Sequence, residues 1–212
     1  GGFGGAGMPI ALVDGLIDQG ATNLTIVANN AGNGELGIAA LLKAGRVSKD
    51  ICSFPRQVDS YVFDALYRAR KVELELVPQG NLAERIRAAG AGIGGFFTRI
   101  GYGTELAKSA GKDKDVREID GEMYVYETPI RADFALVKAE LGDRWGNLTY
   151  NKSARNFGPL MAMAAARGLI SSPRNWCGSM VWVASSSLKF SPNCAAKSRT
   201  SPSRILRCCR ET

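Results

Sequence analysis

Hydrophobic and polar positions alternate along this chain in blocks, and the blocks change period in a regular order. From Pro9 to Gly20 the apolar residues Leu12, Val13, Leu16 and Ile17 recur at helical spacing, with proline in the first turn and glycine as the stop. LTIVA (24–28) is short and mostly apolar, as in strands that a parallel sheet buries on both faces. ELGIAALLKAG (35–45) reads as a helix closed by Gly45, and DICSF (50–54) as a weak strand. QVDSYVFDALYRARK (57–71) carries Val58, Val62, Ala65, Leu66 and Ala69 on one helical face, and VELELV (72–77) follows as a strand ending in PQG. Farther on, VREIDGEMYVYE (116–127) predicts a hairpin turning at Asp120-Gly121. ADFALVKAE (132–140) predicts a strand, ARNFGPLMAMAAA (154–166) opens a helix, and GYGTELAKSAGKDKD reads as a surface loop.

This order argues for an α/β fold, an open and mostly parallel sheet flanked by helices with right-handed crossovers. Ligands of such sheets sit where strand C-termini meet the loops that follow. Three segments fall in such places: GGFGGAG (1–7), NNAGNGE (29–35) and PQGN (78–81). Five glycines in the first seven residues let backbone come close to a ligand, yet no strand precedes them here. The loop is either a flexible terminus or a ligand loop of something longer. A second glycine run, GAGIGG (90–95), matches the dinucleotide pattern G-x-G-x-x-G with its context reversed. A helix-like segment precedes it where a strand belongs, so close backbone packing is the better reading.

Charge and composition narrow the chemistry. Of the net charge of +7, residues 168–212 hold +6, which leaves a near-neutral body and argues against a nucleic-acid partner. The chain has no histidine, which removes the Ser-His-Asp triad, the Cys-His pair and histidine-ligated zinc. Cys52 stands alone in the body as a small buried hydrophobe. Cys177, Cys194, Cys208 and Cys209 lie in the tail without C-x-x-C spacing, so no metal site is expected. No apolar run approaches the roughly 20 residues of a membrane helix, and the expected location is cytoplasmic.

GGFGGAGMP, NNAGNGELG, PQGNLAERIRAAGAGIGGFFT, GYGT, PIRADFALVKA, DRWGNLTY and KSARNFGP follow one another in that order. Together they resemble the α subunit of the family I (3-oxoacid) coenzyme A-transferases over residues 1 to about 166. CSFPRQVDSYVFDALYRARK with NNAGNGE looks most like the 3-oxoadipate branch of aromatic catabolism. The resemblance implies a ligand loop at residue 1, preceded in the family by a helix and a strand, and hence an N-terminally truncated chain.

It also implies the chemistry. A glutamate carboxylate attacks an acyl-CoA thioester, an anhydride and a thiolate form, and the thiolate returns to leave a glutamyl-CoA thioester. That glutamate belongs to a separate β subunit, so this chain alone is expected to be inactive. The expected assembly is an αβ heterodimer that pairs again as α2β2. The substrates implied are succinyl-CoA and a 3-oxo acid, with the coenzyme A thioester as substrate and no tightly bound cofactor. Gly1, Gly2, Phe3, Gly4, Gly5, Ala6 and Gly7 match the coenzyme A-binding loop. Asn29 and Asn30 match an asparagine pair beside the active site, and Gln79 matches a glutamine near the substrate carboxylate or thioester oxygen. Glu35 reads instead as an acid in the first turn of a helix, and Glu84 as a structural residue within one. Acetoacetate or a short fatty acid is the alternative acceptor, and a non-catalytic α/β ligand-binding or non-functional fragment is the alternative class.

The resemblance ends near Ala166. Residues 168–212 hold ten serines, four cysteines, two of the three tryptophans and no aspartate. That composition fits translation in a shifted frame from about Ala166–Gly168, with a natural disordered basic tail as the alternative. The expected organisation is a transferase domain over 1–167 and a mobile tail over 168–212 that leaves the sheet without its last strands.

Overall fold

The computed structural model describes residues 1–109, 112–143, 145–172, 174, 175 and 182–184. Helix α1 (Ile10–Gln19) ends where Gly20 takes a left-handed conformation and its N–H bonds the carbonyl of Ile17. Strand β1 (Leu24–Val27), α2 (Ile38–Lys43), β2 (Val47–Cys52), α3 (Tyr61–Arg68), β3 (Glu73–Leu76) and α4 (Gln79–Gly90) follow. The alternation read from the sequence is present with shifted bounds: α2 and α3 start three to four residues late, and β2 starts three early. Before α3 the delayed residues bond across to the loop after β1, with Gly34 N–H on the carbonyl of Asp59 and Ser60 Oγ on that of Gly32. Before α2, Gly37 stands at φ +58°, which no helix accepts.

Strands β1, β2 and β3 form a parallel sheet in that order. Beyond α4 come β4 (Phe96–Thr98), the two-residue strands β5 (Lys108–Ser109) and β6 (Lys112–Asp113), β7 (Val116–Ile119) and β8 (Glu122–Glu127). The β7–β8 hairpin turns at Asp120 and Gly121, both at positive φ as a primed turn requires, and β4 pairs with the other edge of β8. Next are β9 (Ala132–Lys138), the short β10 (Leu141–Gly142) and β11 (Leu148–Thr149), α5 (Gly158–Ala164) and β12 (Ala165–Ser171). Strand β12 lies parallel to β9, and its backbone also pairs with β14 (Trp182–Ala184); β13 (Arg174–Asn175) pairs with β10.

The glycine run serves packing. A Cβ at Gly90 would lie 2.7 Å from that of Met163, so the absence of one lets α4 and α5 come together. A Cβ at Gly95 would strike the Tyr126 ring, whose hydroxyl donates to the carbonyl of Gly94 at 3.0 Å.

Two apolar cores result. One joins α4 and α5 to β9 and β12 through Leu82, Ile86, Val137, Met161 and Ile170. The other lies between the β1–β3 sheet and α1–α3 and includes Leu41, Leu42 and Phe63. Strand β12 runs across the expected tail boundary at 167/168. Leu169 and Ile170 are buried and paired with Leu136 and Val137, and the Ser172 hydroxyl donates to the carbonyl of Glu140 at 2.8 Å. Composition changes before the fold does, because GLIS still supplies the apolar residues an inner strand needs. Strands β13 and β14 also form in the segment expected to leave the sheet without its last strands, while Cys177, Cys194, Cys208 and Cys209 lie outside the described residues.

Asp50 sits in the middle of β2 with Ile26 and Leu74 as its strand neighbours. It is fully buried, and neither carboxylate oxygen has a hydrogen-bond partner. Burial alone pushes its carboxyl up from 3.8 to about 7. A raised carboxyl favours the fold fully below its unfolded value, and that contribution is lost as pH rises through about 7. Between pH 4.5 and pH 8 this group costs about 3 kcal/mol of stability. Asp50→Val should remove that loss, so denaturant unfolding should show a larger gain for the variant at pH 8 than at pH 4.5. Parallel pH profiles for the two proteins would refute this.

Candidate active site

Parallel register brings the ends of β1, β2 and β3 to one edge. Val27 lies opposite Ile51, and Cys52 opposite Leu76, so Asn29, Ser53 and Gln79 follow side by side. Asn29 is 2% exposed and lies at the centre of the group. Its backbone carbonyl accepts the N–H groups of Phe54 at 2.9 Å and Ser53 at 3.2 Å. Its side-chain oxygen accepts Gln79 Nε2 and Ser53 Oγ, both at 2.8 Å. Gln79 is the first residue of α4, placed there by Pro78, whose fixed φ suits a helix entrance.

Asn30, equally buried, uses its Oδ1 to accept the N–H of Gly32 at 3.0 Å. This closes a turn that Gly32 enters at φ +88°, with space for a Cβ only 2.4 Å from the N of Ala39. The Ser60 hydroxyl donates to the carbonyl of Gly32 at 3.1 Å and accepts from the N–H of Gln57 at 2.8 Å. These bonds clamp the loop after β1 to the loop after β2.

The glycine loop closes on itself. Phe3 and Ala6 exchange backbone hydrogen bonds of 2.9 and 3.1 Å, while Asn156 Nδ2 donates to the carbonyl of Ala6 at 3.1 Å. Gly7, at φ +71°, has room for a Cβ only 2.5 Å from the carbonyl oxygen of Ala154. Gly1 N donates to the carbonyl of Leu136 in β9 at 3.0 Å, and Gly2 packs on Met8. The N–H groups of Gly4 and Gly5 have no internal acceptor among the described residues. Gln57, 3.9 Å from the Cβ position of Gly4, is the approach between this loop and the clamped pair. The described hydrogen bonds include none that joins the glycine loop directly to Asn29 or Gln79.

The carboxylates sort clearly. Glu35 lies outside α2, which corrects the expectation of a first-turn acid. It bonds Lys43 at the far end of that helix at 2.8 Å, and this bond holds its carboxyl below the usual range. Glu84 is on α4 and pairs with Arg87, as a structural surface residue would. Sequence reasoning missed Glu127, a 2% exposed carboxylate on β8. It takes Lys114 at 2.7 Å and Asn81, two residues after Gln79, at 3.2 Å. One turn further along the same face of α4, Arg85 lies 3.7 Å from Glu127 and bonds Glu75 at 3.0 Å and the carbonyl of Thr128 at 2.7 Å. Burial pulls the Glu75 carboxyl up, but bonds from Lys49 and Arg85 outweigh that and hold it low. These contacts fix the first turns of α4, and with them Gln79. Ser53 was also missed, although a serine just past an apolar strand, at the edge where NNAG and PQG end, was a usable signal.

The coenzyme A transferase family model matches residues 1–171. The chain belongs to this family. It is similar to a subunit of 3-oxoadipate CoA-transferase from Pseudomonas putida, with 71% identity over 165 residues, 78% of this chain and 70% of the relative. The corresponding subunit of Acinetobacter baylyi is 66% identical over 165 residues, 78% of this chain and 71% of that one. Among solved structures, a variant of the decarboxylase AibA/AibB superposes with a TM-score of 0.69 at 23% identity, covering 82% of this chain and 67% of its own. That likeness concerns fold alone, since a transferase family and a decarboxylase share the architecture. Among the described residues, no helix is long and apolar enough to cross a membrane.

Gly32 has the strictest demand in this candidate site of the coenzyme A transferase chain. Gly32→Ala combines a left-handed backbone, about 1–2 kcal/mol, with a clash against the backbone of α2. Denaturant unfolding should show a loss of at least about 2 kcal/mol, since a backbone clash adds to the conformational cost. Unchanged stability would mean that the turn relaxes freely.

Proposed function

We propose that this chain is the α subunit of a CoA-transferase that moves coenzyme A from succinyl-CoA to a 3-oxo acid, 3-oxoadipate first, in aromatic catabolism. The observation that carries this reading is the 71% identity to the Pseudomonas putida protein over 165 residues. The geometry agrees with it. Acyl transfer between carboxylates and a thiolate needs no general base, so a chain without histidine can serve it. It does need donors aimed at an oxygen that gains charge.

In this reading the thioester carbonyl carbon is attacked by a glutamate of a partner β subunit. A C–O bond forms, the carbonyl electron pair moves to oxygen, and the C–S bond then breaks to release the coenzyme A thiolate. Gln79 and Asn29 flank the reacting carbonyl, and Asn30 holds the turn beside them. The Gly1–Gly7 loop offers the N–H groups of Gly4 and Gly5 to polar groups of coenzyme A, which acts as substrate, with no tightly bound cofactor. The working assembly is a cytoplasmic αβ pair that dimerises to α2β2.

The test is to assay this chain alone and together with a family β subunit, using succinyl-CoA and a panel of acceptors. The chain alone should be inactive, and the pair should use 3-oxoadipate at least about tenfold better than acetoacetate in kcat/KM, a difference worth about 1.4 kcal/mol. Transfer without a partner, or a preference for acetoacetate, would overturn the assignment. Gln79→Ala in the pair should lower kcat/KM by about 10²–10³, the range for one lost oxyanion donor. A loss under about threefold would give Gln79 a merely structural part.

A further inference from the structure

Asn29 has one polar side-chain atom that the fold leaves unused. Both hydrogen bonds to its side chain, from Gln79 Nε2 and Ser53 Oγ, end on Oδ1. Two donors on one amide oxygen fill both of its lone pairs and set the plane of the group. Nδ2 must then point the other way. It has no partner among the described residues, and it is absent from the fully buried unpartnered atoms, so it reaches the surface of the site. The backbone carbonyl of the same residue is held by two further N–H groups, so the residue cannot swing as a whole.

Ser53 is the decisive member of this set. Its hydroxyl has a single hydrogen and lies 2.8 Å from Asn29 Oδ1 and 3.2 Å from the Asn29 carbonyl, and the shorter contact takes the hydrogen. Gln79 alone would leave the Asn29 amide free to turn about its terminal torsion, which is broad and roughly two-fold. With Ser53 Oγ donating as well, a turned amide would lose two hydrogen bonds instead of one and put its NH2 against both donors.

We propose that Ser53 is a positioning residue of the transferase site, which locks the Asn29 amide so that Nδ2 donates to the thioester carbonyl oxygen as that oxygen gains charge. This rests on the transferase reading given above. Asn29 touches the reacting group, and Ser53 acts through Asn29. A preset donor costs no reorganisation when charge develops, so its effect falls on kcat.

The experiment pairs the chain with its β subunit, then compares wild type, Ser53→Ala, Ser53→Thr, Ser53→Cys, Asn29→Ala and the Ser53→Ala/Asn29→Ala double variant. Asn29→Ala should lower kcat by about 10²–10³. Ser53→Ala should lower kcat by about tenfold with KM changed less than about threefold, and Ser53→Thr, which keeps the hydroxyl, should recover most of it. The double variant should be no slower than Asn29→Ala alone, because Ser53 has nothing left to orient. If Ser53→Ala fails to assemble with β, Ser53→Cys, of nearly the same shape and a weaker donor, carries the comparison. Losses that multiply in the double variant, an effect confined to KM, or full activity of Ser53→Ala or Ser53→Cys would overturn the proposal. An inactive wild-type pair would instead overturn the transferase reading itself, so the two failures are distinct.

Discussion

The parallel register of β1, β2 and β3 is the constraint on which the site depends. The N–H of Ala28 bonds the carbonyl of Ile51, and that of Val77 bonds the carbonyl of Cys52, so the ladder continues to the last residue of each strand. Nothing at the edge could bring residues 29, 53 and 79 together if one strand slipped. A slip of β2 by one residue would turn Asp50 and every other side chain of that strand to the opposite face, away from Ile26 and Leu74. The apolar burial that sets the register therefore also sets the site, and residues such as Leu41, Leu42 and Phe63 support the chemistry from a distance.

Two buried polar groups on neighbouring strands show opposite solutions to the same problem. Asn29 has its oxygens bonded by Ser53, Phe54 and Gln79. Each such bond contributes about 0.5–1.5 kcal/mol net, and leaving a buried partner unmade costs about 1–3 kcal/mol. The Asp50 carboxyl has no hydrogen-bond partner among the described residues, and β2 carries that cost within the apolar core. Leu41, Leu42 and Phe63 against the same sheet return about 1.5–3 kcal/mol each, which is enough to offset one protonated carboxyl. The fold tolerates Asp50 because the group can take a proton; an ion held there would be far more expensive.

Much of this was legible in the chain. The hydrophobic period placed α1, the three parallel strands, the hairpin at Asp120-Gly121 and the three loops, because each of these is set by local pattern and turn chemistry. Gln79 and Asn29 came from the family resemblance, and the structure places them in contact. What stayed hidden depends on residues far apart in sequence. Glu127 meets Lys114, Asn81 and Arg85 only after β8 has packed beside α4, and no spacing announces that. The strand β12 was obscured by an abrupt change of composition, although Leu169 and Ile170 still carried the apolar pattern. Glu35 was misplaced because a helix start was read three residues early, at a sequence where turn and first turn look alike.

Among the described residues, the proposed site is built from neutral groups. Asn29, Asn30, Ser53 and Gln79 are all neutral, and the cations nearby are tied down. Lys49 lies between Glu73 and Glu75, Arg85 is held by Glu75 and the carbonyl of Thr128, and Lys114 bonds Glu127. A free guanidinium at this edge would bind an anionic substrate in its ground state as strongly as in the transition state, which lowers KM without raising kcat. It would also depress the reactivity of a carboxylate nucleophile by favouring its charged form. Amide and hydroxyl dipoles avoid both effects. Fixed in direction, they interact weakly with a neutral thioester oxygen and more strongly once that oxygen is charged, and this difference is what accelerates a reaction. In the proposed reading, the dipoles of Asn29, Ser53 and Gln79 are thus chemically complementary to a partner that brings the carboxylate.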